Sequence, residues 1–495
     1  MAGTAEGPDG DLAESSAKTG LQIVDIAPDG DIVLDVTFET SKETLKAARK
    51  AAKPRPGQDV AAPALAVLKP KTRFGYRVQL SVLKQNSKYF DNLLSDARFT
   101  EARSIEEGFR QLSLRNVKPS DADANQLPVV KIHEDDEATR SVDQLSVFED
   151  LLRILHRQQS TSKAVTMHYL AVLAVLADRF DCTALVSRYV KALKYKWPAT
   201  PTRPSRDDGP SLSRAAEETL RQKILVAWLL DQPLKLHAAT RELIMSGSRR
   251  WSASWDDEGP ESNMAPAWWD LPDDLERELH HRRACILATI ASIQQHFLGL
   301  YTSRTRQCKL GYDSSASCDS YQLGEMVKFL TSRGLLFLTD FSPFSSSAVA
   351  QRDFATVDIP SLLAALKQCP SYQIDKNHTN CGLRTRLLPV LEYLQAMLSS
   401  NVVSISRQAW AKDREGVAWS LNDDDDESEE ARTKKKSRVF RFTRGLASDQ
   451  RLRYEGAMAA DRMARELFTA DEWDWTAEER DDVRGIEFGR WPAAR

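Results

Sequence analysis

The chain has 495 residues, room for two to four domains, with 42% hydrophobic and 28% charged residues and a formal net charge of -3. That near balance argues against a dedicated nucleic-acid binder, which needs a basic surface to displace counterions from phosphate. The longest apolar run, residues 169–180, is too short to cross a bilayer and is broken by Asp178-Arg179, so no membrane span is expected.

Residues 1–28 are rich in Gly, Ala, Asp and Glu and have little to bury, so they read as disordered. They lack the basic start and apolar stretch of a secretory signal. The expected location is therefore intracellular, in cytoplasm or nucleus, with the six cysteines as thiols or metal ligands rather than disulfides.

From Asp29-Gly30-Asp31 onward, Ile32, Leu34, Val36 and Phe38 alternate with Val33, Asp35 and Thr37, the period of a strand with one buried face. Residues near 41–70, rich in Lys, Ala and Pro, read as a surface insertion. Alternation returns at Phe74, Tyr76, Val78 and Leu80. Val82, Leu83, Tyr89, Phe90, Leu93 and Leu94 then fit two short helices broken near Asn86-Ser87, with Ser87 as an N-cap. A second polar insertion covers residues 102–126, with a short strand at residues 112–114. Residues 127–133 read as another strand. Phe148, Leu151, Leu152 and Leu155 share a helical face, residues 167–180 form a strongly apolar helix, and another helix begins at Leu185.

Four prolines within residues 198–210 mark the clearest boundary, closing a first domain at 29–197 with a linker at 198–211. A helical domain follows at 212–420, with patterns at 212–244, 275–301, 321–338, 359–366 and 383–398 and no repeat of fixed period. An acidic block and the basic run Lys434-Lys435-Lys436-Ser437-Arg438 make residues 421–446 a charged linker, or a nuclear import signal. Residues 447–495 hold an amphipathic helix and Trp473, Trp475 and Trp491.

The order of these elements, and several of their residues, resemble a BTB/POZ domain. Asp31-Ile32-Val33-Leu34-Asp35-Val36 looks like its first strand and Tyr76-Arg77-Val78-Gln79-Leu80-Ser81-Val82-Leu83 its second strand and turn, although the family usually has histidine where Gln79 stands. Asn86-Ser87-Lys88-Tyr89-Phe90 is similar to the next helix, Phe99-Thr100-Glu101 to the family's F-x-E, and Ala177-Asp178-Arg179-Phe180-Asp181-Cys182 to the "ADKYDC" wording of filamentous-fungal members. The two insertions depart from compact domains of this kind. The resemblance implies an α+β fold, a small sheet covered by helices, followed here by a mainly α-helical C-terminal domain. It also implies a protein–protein interaction or scaffold role, with a homodimer or protein partners bound through the first strand and early helices. In adaptors of this family an apolar-x-Glu motif contacts cullin-3. For Phe99 and Glu101 the other reading is that Phe99 packs against its own helices.

The second half contains Cys285, Cys308, Cys318, Cys369 and Cys381 with His280, His281, His296 and His378. His378-x-x-Cys381 has the spacing of a metal knuckle, and Cys308 and Cys318 flank a Gly-Tyr-Asp-Ser-Ser loop. Cys308, Cys318, His378 and Cys381 are thus a candidate structural zinc site clipping two distant loops together, the alternative being buried small hydrophobes. A zinc-stabilised helical region with the basic run is one route to a nuclear regulatory protein. Gly-rich phosphate loops, G-x-S-x-G and H-E-x-x-H are absent from the sequence, and no acidic pair stands out, so an enzyme is not expected. His133, His156 and His168 read as packing or surface residues.

Overall fold

The computed structural model describes residues 21–51, 69–162, 165–199, 212–252, 265–308, 310–339, 355–378, 381–399 and 403–414. The expectations for residues 1–20, for the core of the Pro-rich linker, for the basic run and for the tryptophan-bearing tail lie outside these. The protein is mixed α and β, with a small four-stranded sheet and many helices. The chain divides into two compact units. The first takes the described residues up to 163 together with Leu176–Leu185, and the second takes Ala164–Val175 and the described residues from Val186 on.

In the first unit the sheet runs β1-β3-β2-β4, from Ile23–Asp25 (β1), Ile32–Glu39 (β2), Lys71–Val78 (β3) and Val129–Asp135 (β4). The two strands read from alternation pair antiparallel, Ile32 opposite Val78 through Glu39 opposite Lys71. β4 joins β2 in parallel, with Val33 opposite Val129. β1 corrects the expectation of disorder through residue 28. Gly75 makes room for this edge: a Cβ there would come within 2.9 Å of Leu21 and 3.1 Å of Ile23. β3 stops at Val78 rather than Leu80 because the Asp31 carboxylate accepts the Leu80 N–H at 2.7 Å, where the next helix starts.

β2 is buried on both faces rather than one. Ile32, Leu34, Val36 and Phe38 fill one side. On the other, Val33 packs with Leu112, Ala122 and Leu127, and the Asp35 carboxylate accepts two hydrogen bonds from Arg73 at 2.7 and 2.5 Å. Both segments read as insertions contain helix. Lys42–Ala51 (α1) opens where Asp136 accepts the backbone N–H and hydroxyl of Ser41. Thr100–Leu114 is a helix, labelled α4 below, not a polar loop ending in a strand. Its charged residues face water while Leu112 covers the second face of β2.

Leu80–Asn86 (α2) and Lys88–Ser95 (α3) are split at Ser87, as the sequence predicts. The Ser87 hydroxyl accepts the Phe90 N–H at 3.1 Å and donates to the Phe180 carbonyl at 2.6 Å. After α4 come Gln144–Leu155 (α5), Met167–Arg179 (α6) and Thr183–Ala192 (α7). An unbroken aromatic series joins sheet to helices. Phe38 and Tyr76 meet Phe148 at 5.5 and 5.7 Å, Phe148 meets Phe180 at 5.5 Å, and Phe180 stacks on Phe90 at 5.3 Å. Such ring pairs add about 0.5–1.5 kcal/mol each beyond area burial.

The second unit, among its described residues, is helical throughout: Arg214–Leu229 (α8), Pro233–Ser246 (α9), Leu275–Thr302 (α10), Ser315–Ser332 (α11), Ile359–Lys367 (α12), Leu383–Ser399 (α13) and Arg407–Asp413 (α14). The pattern at 212–244 is two helices, not one. Asp231 takes a positive φ of 48° and Pro233, lacking an N–H, opens α9. α11 starts at Ser315, six residues before the apolar pattern predicts, because its first turns face a polar site. Fully buried Arg221 pins α8 to α10. It pairs bidentately with Glu276, both bonds at 2.8 Å, and contacts Glu217 at 3.2 Å and the Ser248 hydroxyl at 2.6 Å. No helix among the described residues is long and apolar enough to cross a membrane.

Two outcomes follow for the first unit. Leu112→Ala should cost about 2–5 kcal/mol of stability, measured by denaturant unfolding, whereas an exposed insertion would show almost no change. His156 accepts the Gln79 N–H on Nε2 at 3.1 Å, so its proton sits on Nδ1, which donates to the Leu152 carbonyl at 2.8 Å. Burial lowers its pKa. The stability tied to the neutral ring is thus present at neutral pH and lost as pH falls below about 6.5, where only the unfolded chain takes the proton readily. Thermal melts of His156→Gln between pH 7 and 5 should show a shallower decline than the wild type; parallel slopes would contradict this.

Candidate metal centre

Three segments of the second unit meet at one point. The first is the loop after α10, which carries Cys308. Its backbone is held by Asp319 from the start of α11, whose carboxylate oxygens accept the N–H groups of Gln307 at 2.7 Å and Cys308 at 3.1 Å. The second is α11 itself, which presents fully buried Cys318 one turn in. The third is the loop between α12 and α13, which carries His378 and Cys381. Gln322 on α11 clamps this loop at both ends, donating to the Tyr372 carbonyl at 3.0 Å and accepting the Leu383 N–H at 3.2 Å. Arg384 donates to the Lys367 and Cys369 carbonyls, fixing where the loop leaves α12.

The ligand atoms of Cys308, Cys318, His378 and Cys381 lie within 4.8 Å of one another, and this cluster can hold a metal ion. Cys308 Sγ is 3.5 Å from His378 Nδ1 and 3.7 Å from Cys381 Sγ. A tetrahedron with ordinary zinc–sulfur and zinc–nitrogen lengths has edges of about 3.6 Å between S and N and about 3.8 Å between two sulfurs. The fit is close on both edges, and far from the bonded distance of a disulfide.

Electrostatics points the same way. Burial opposes ionisation of Cys308, but hydrogen bonds from the Ser315 hydroxyl, the Leu310 backbone and the Cys381 and Cys318 thiols outweigh it and hold its pKa below the usual thiol value. Burial and the neighbouring Cys308 and Cys381 push Cys318 up to about 12, and burial with Cys308 also raises Cys381. Cys308 is thus the easiest of the three to ionise, and its neighbours resist a second and third negative charge. A divalent cation at the centre would remove that resistance.

The sequence-derived ligand set is therefore brought together residue for residue, and the remaining cysteines are elsewhere. Cys285 Sγ faces His281 Nε2 at 3.6 Å along α10, and Cys369, its pKa pushed up to about 11 by burial, contacts the Pro370 carbonyl. Sequence reasoning missed the braces Asp319, Gln322, Ser314 and Asp375. The only available signal was their nearness in sequence to Cys318 and His378, since isolated Ser, Asp and Gln are too common to single out.

In the first unit, Phe99 caps the start of α4 with its ring 42% exposed. More than half of the residue's surface is therefore covered and the rest faces solvent. Glu101 is half-buried and accepts the Thr100 hydroxyl at 2.9 Å. It lies near enough to Tyr89 to help burial raise that phenol's pKa. Comparison with family models, with curated proteins and with solved structures returns no match, so the geometry of the two units is what a functional reading has to rest on.

Proposed function

We propose that the chain is a non-enzymatic interaction protein. A BTB/POZ-like first unit self-associates or binds protein partners, and a helical unit stapled by zinc at Cys308, Cys318, His378 and Cys381 offers a second binding surface. The observation that supports the first part is the antiparallel pairing of β2 with β3 beneath α5 and the end of α6, joined through Phe148 and Phe180. The resemblance implies a small sheet covered by helices, and this pairing is compatible with it. The exposed Phe99 ring, with Glu101 two positions on, favours the cullin-3 adaptor form of this reading, because an aromatic anchor left in water at a helix start is available to a groove on a partner. For the second part, the edge lengths around Cys308 and the three-thiol, one-imidazole donor set favour zinc over harder cations. A nuclear regulatory role would use the same stapled unit and is told apart by where a fluorescent fusion of the full chain accumulates.

Two measurements test this. Elemental analysis of the purified full chain should find one zinc per molecule, lost in Cys308→Ser. Chelation should lower the melting temperature of the second unit by on the order of 10 °C, the scale for a site held far above its Kd; no bound metal and an unmoved melt would end the zinc reading. Capture on purified cullin-3 should fall at least about tenfold for Phe99→Ala and for Glu101→Ala. Equal capture by all three proteins, or none by any, would remove the adaptor form. The self-association form would then rest on sedimentation of the full chain, where a single-chain mass at every concentration would count against it.

A further inference from the structure

His378 has two ring nitrogens, and the structure shows which one is free for a metal. Nδ1 faces Cys308 Sγ at 3.5 Å, inside the cluster. Nε2 points the other way, 3.0 Å from the Ser314 hydroxyl oxygen. That hydroxyl has one hydrogen, and its other neighbour is the Asp375 carboxylate, with Ser314 Oγ 2.5 Å from Asp375 Oδ2. A carboxylate only accepts, so Ser314 must donate to Asp375. The hydroxyl oxygen is then left to accept, and the Nε2 proton is its donor. The neutral ring therefore carries its hydrogen on Nε2 and keeps its lone pair on Nδ1.

Asp375 is held in place for this. Its second oxygen accepts the Asn377 N–H at 2.8 Å, and its backbone carbonyl accepts the His378 N–H at 3.2 Å. Ser314 and Asp375 come from different loops, 61 positions apart, so their bond also ties the two ligand-bearing segments together behind the ligands. The imidazole itself is fully buried, with the Tyr312 ring tilted over it at 5.8 Å.

We infer that Asp375 and Ser314 form an outer-shell relay to His378 that fixes the Nε2–H tautomer and aims Nδ1 at the metal, making both positioning residues of the site. The inference rests on the zinc reading above. An acid behind a ligating histidine orients the ring and raises its basicity, and removing such a partner typically weakens metal binding about 10–100-fold. Ser314 makes the relay one hydroxyl longer than a direct carboxylate–histidine contact, since Nε2 and the nearer Asp375 oxygen are 3.8 Å apart.

The test uses the full chain, zinc-binding affinity by competition with a chelator, and a long-range proton–nitrogen NMR spectrum of the zinc-loaded protein, which distinguishes a protonated ring nitrogen from a metal-bound one. Wild type should show His378 ligated through Nδ1 with Nε2 protonated. Asp375→Asn and Ser314→Ala should each bind zinc about 10–100-fold more weakly, and Ser314→Thr, which keeps the hydroxyl, should stay within about threefold of wild type. Unchanged affinity in both disabling variants, or ligation through Nε2 in the wild type, overturns the relay while leaving the zinc site standing. A wild-type chain that takes up no zinc overturns the site itself, and the relay with it. If Ser314→Ala does not fold, Asp375→Asn together with the wild-type spectrum still decides.

Discussion

The central strand β2 has no face to spare for solvent, and the architecture of the first unit follows from that. Its first seven residues are all buried, so both its apolar and its polar side chains need partners supplied from elsewhere in the chain. On one side the cover is aromatic: Phe148 bridges the sheet residues Phe38 and Tyr76 to Phe180, and Phe180 carries the contact to α3. On the other side α4 and the turn after it bring Leu112, Ala122 and Leu127 over Val33. The polar residues that alternation would place in water are neutralised in place. Arg73 forks onto Asp35, and Asp136 takes the N–H and hydroxyl of Ser41 at the strand's exit. An unpaired carboxylate at the Asp35 position would be costly to bury. The bidentate partner comes from the neighbouring strand and lets the polar side of β2 be covered at all.

The second unit meets the opposite difficulty around its Cys/His cluster. The loops at 303–314 and 368–382 contain few large apolar side chains, and Tyr312, one of them, is half exposed. Hydrophobic burial alone does not hold such segments. Polar contacts hold them: Asp319 and Gln322 of α11 bind the Cys308 backbone and the His378 loop, and Ser314 bonds Asp375 from loop to loop. Closing a loop between residues as far apart as Cys308 and His378, 70 positions, costs about 4 kcal/mol in chain entropy. A few hydrogen bonds at about 1 kcal/mol each barely offset that. A tetrahedral metal, with a much larger free energy concentrated at the same point, offsets it with margin.

Much of this was legible in the residues, and two of the misreadings share one cause. Strands β2 and β3, the break at Ser87 and the apolar helix ending at Arg179 stood out because periodicity and capping are local signals. The four candidate metal ligands stood out because Cys and His are rare and His378-x-x-Cys381 has a spacing that chemistry restricts. The segments 41–70 and 102–126 were read as excursions because their composition is polar, yet a helix needs only a stripe of apolar residues to cover a strand, and in α4 that stripe is Ala102, Ile105 and Leu112 among charged neighbours. β1 escaped because two apolar residues in three carry no period, and its place depends on Gly75, fifty residues on. The split of 212–244 turns on two residues inside it, Asp231 and Pro233, set within a hydrophobic pattern that runs through both helices. For β1 and α4 the deciding partner was distant in sequence.

The donor set also bears on what kind of metal centre this would be. Three thiolates and an imidazole are soft and intermediate donors, suited to zinc and poorly suited to calcium or magnesium, which prefer six or more oxygens. Four protein donors complete a tetrahedron and leave no position for water or substrate, which is the pattern of a structural site. The burial agrees, since Cys308, Cys318 and His378 are within a few per cent of full burial and only Cys381 reaches partway to solvent. A centre so enclosed acts through the shape it imposes on the loops around it. Tyr312 and Leu310 lie at the surface beside the site, both about half exposed, and Gln322 ties α11 to the start of α13. A centre of this kind would serve by holding those surfaces in one shape, a structural rather than a catalytic part.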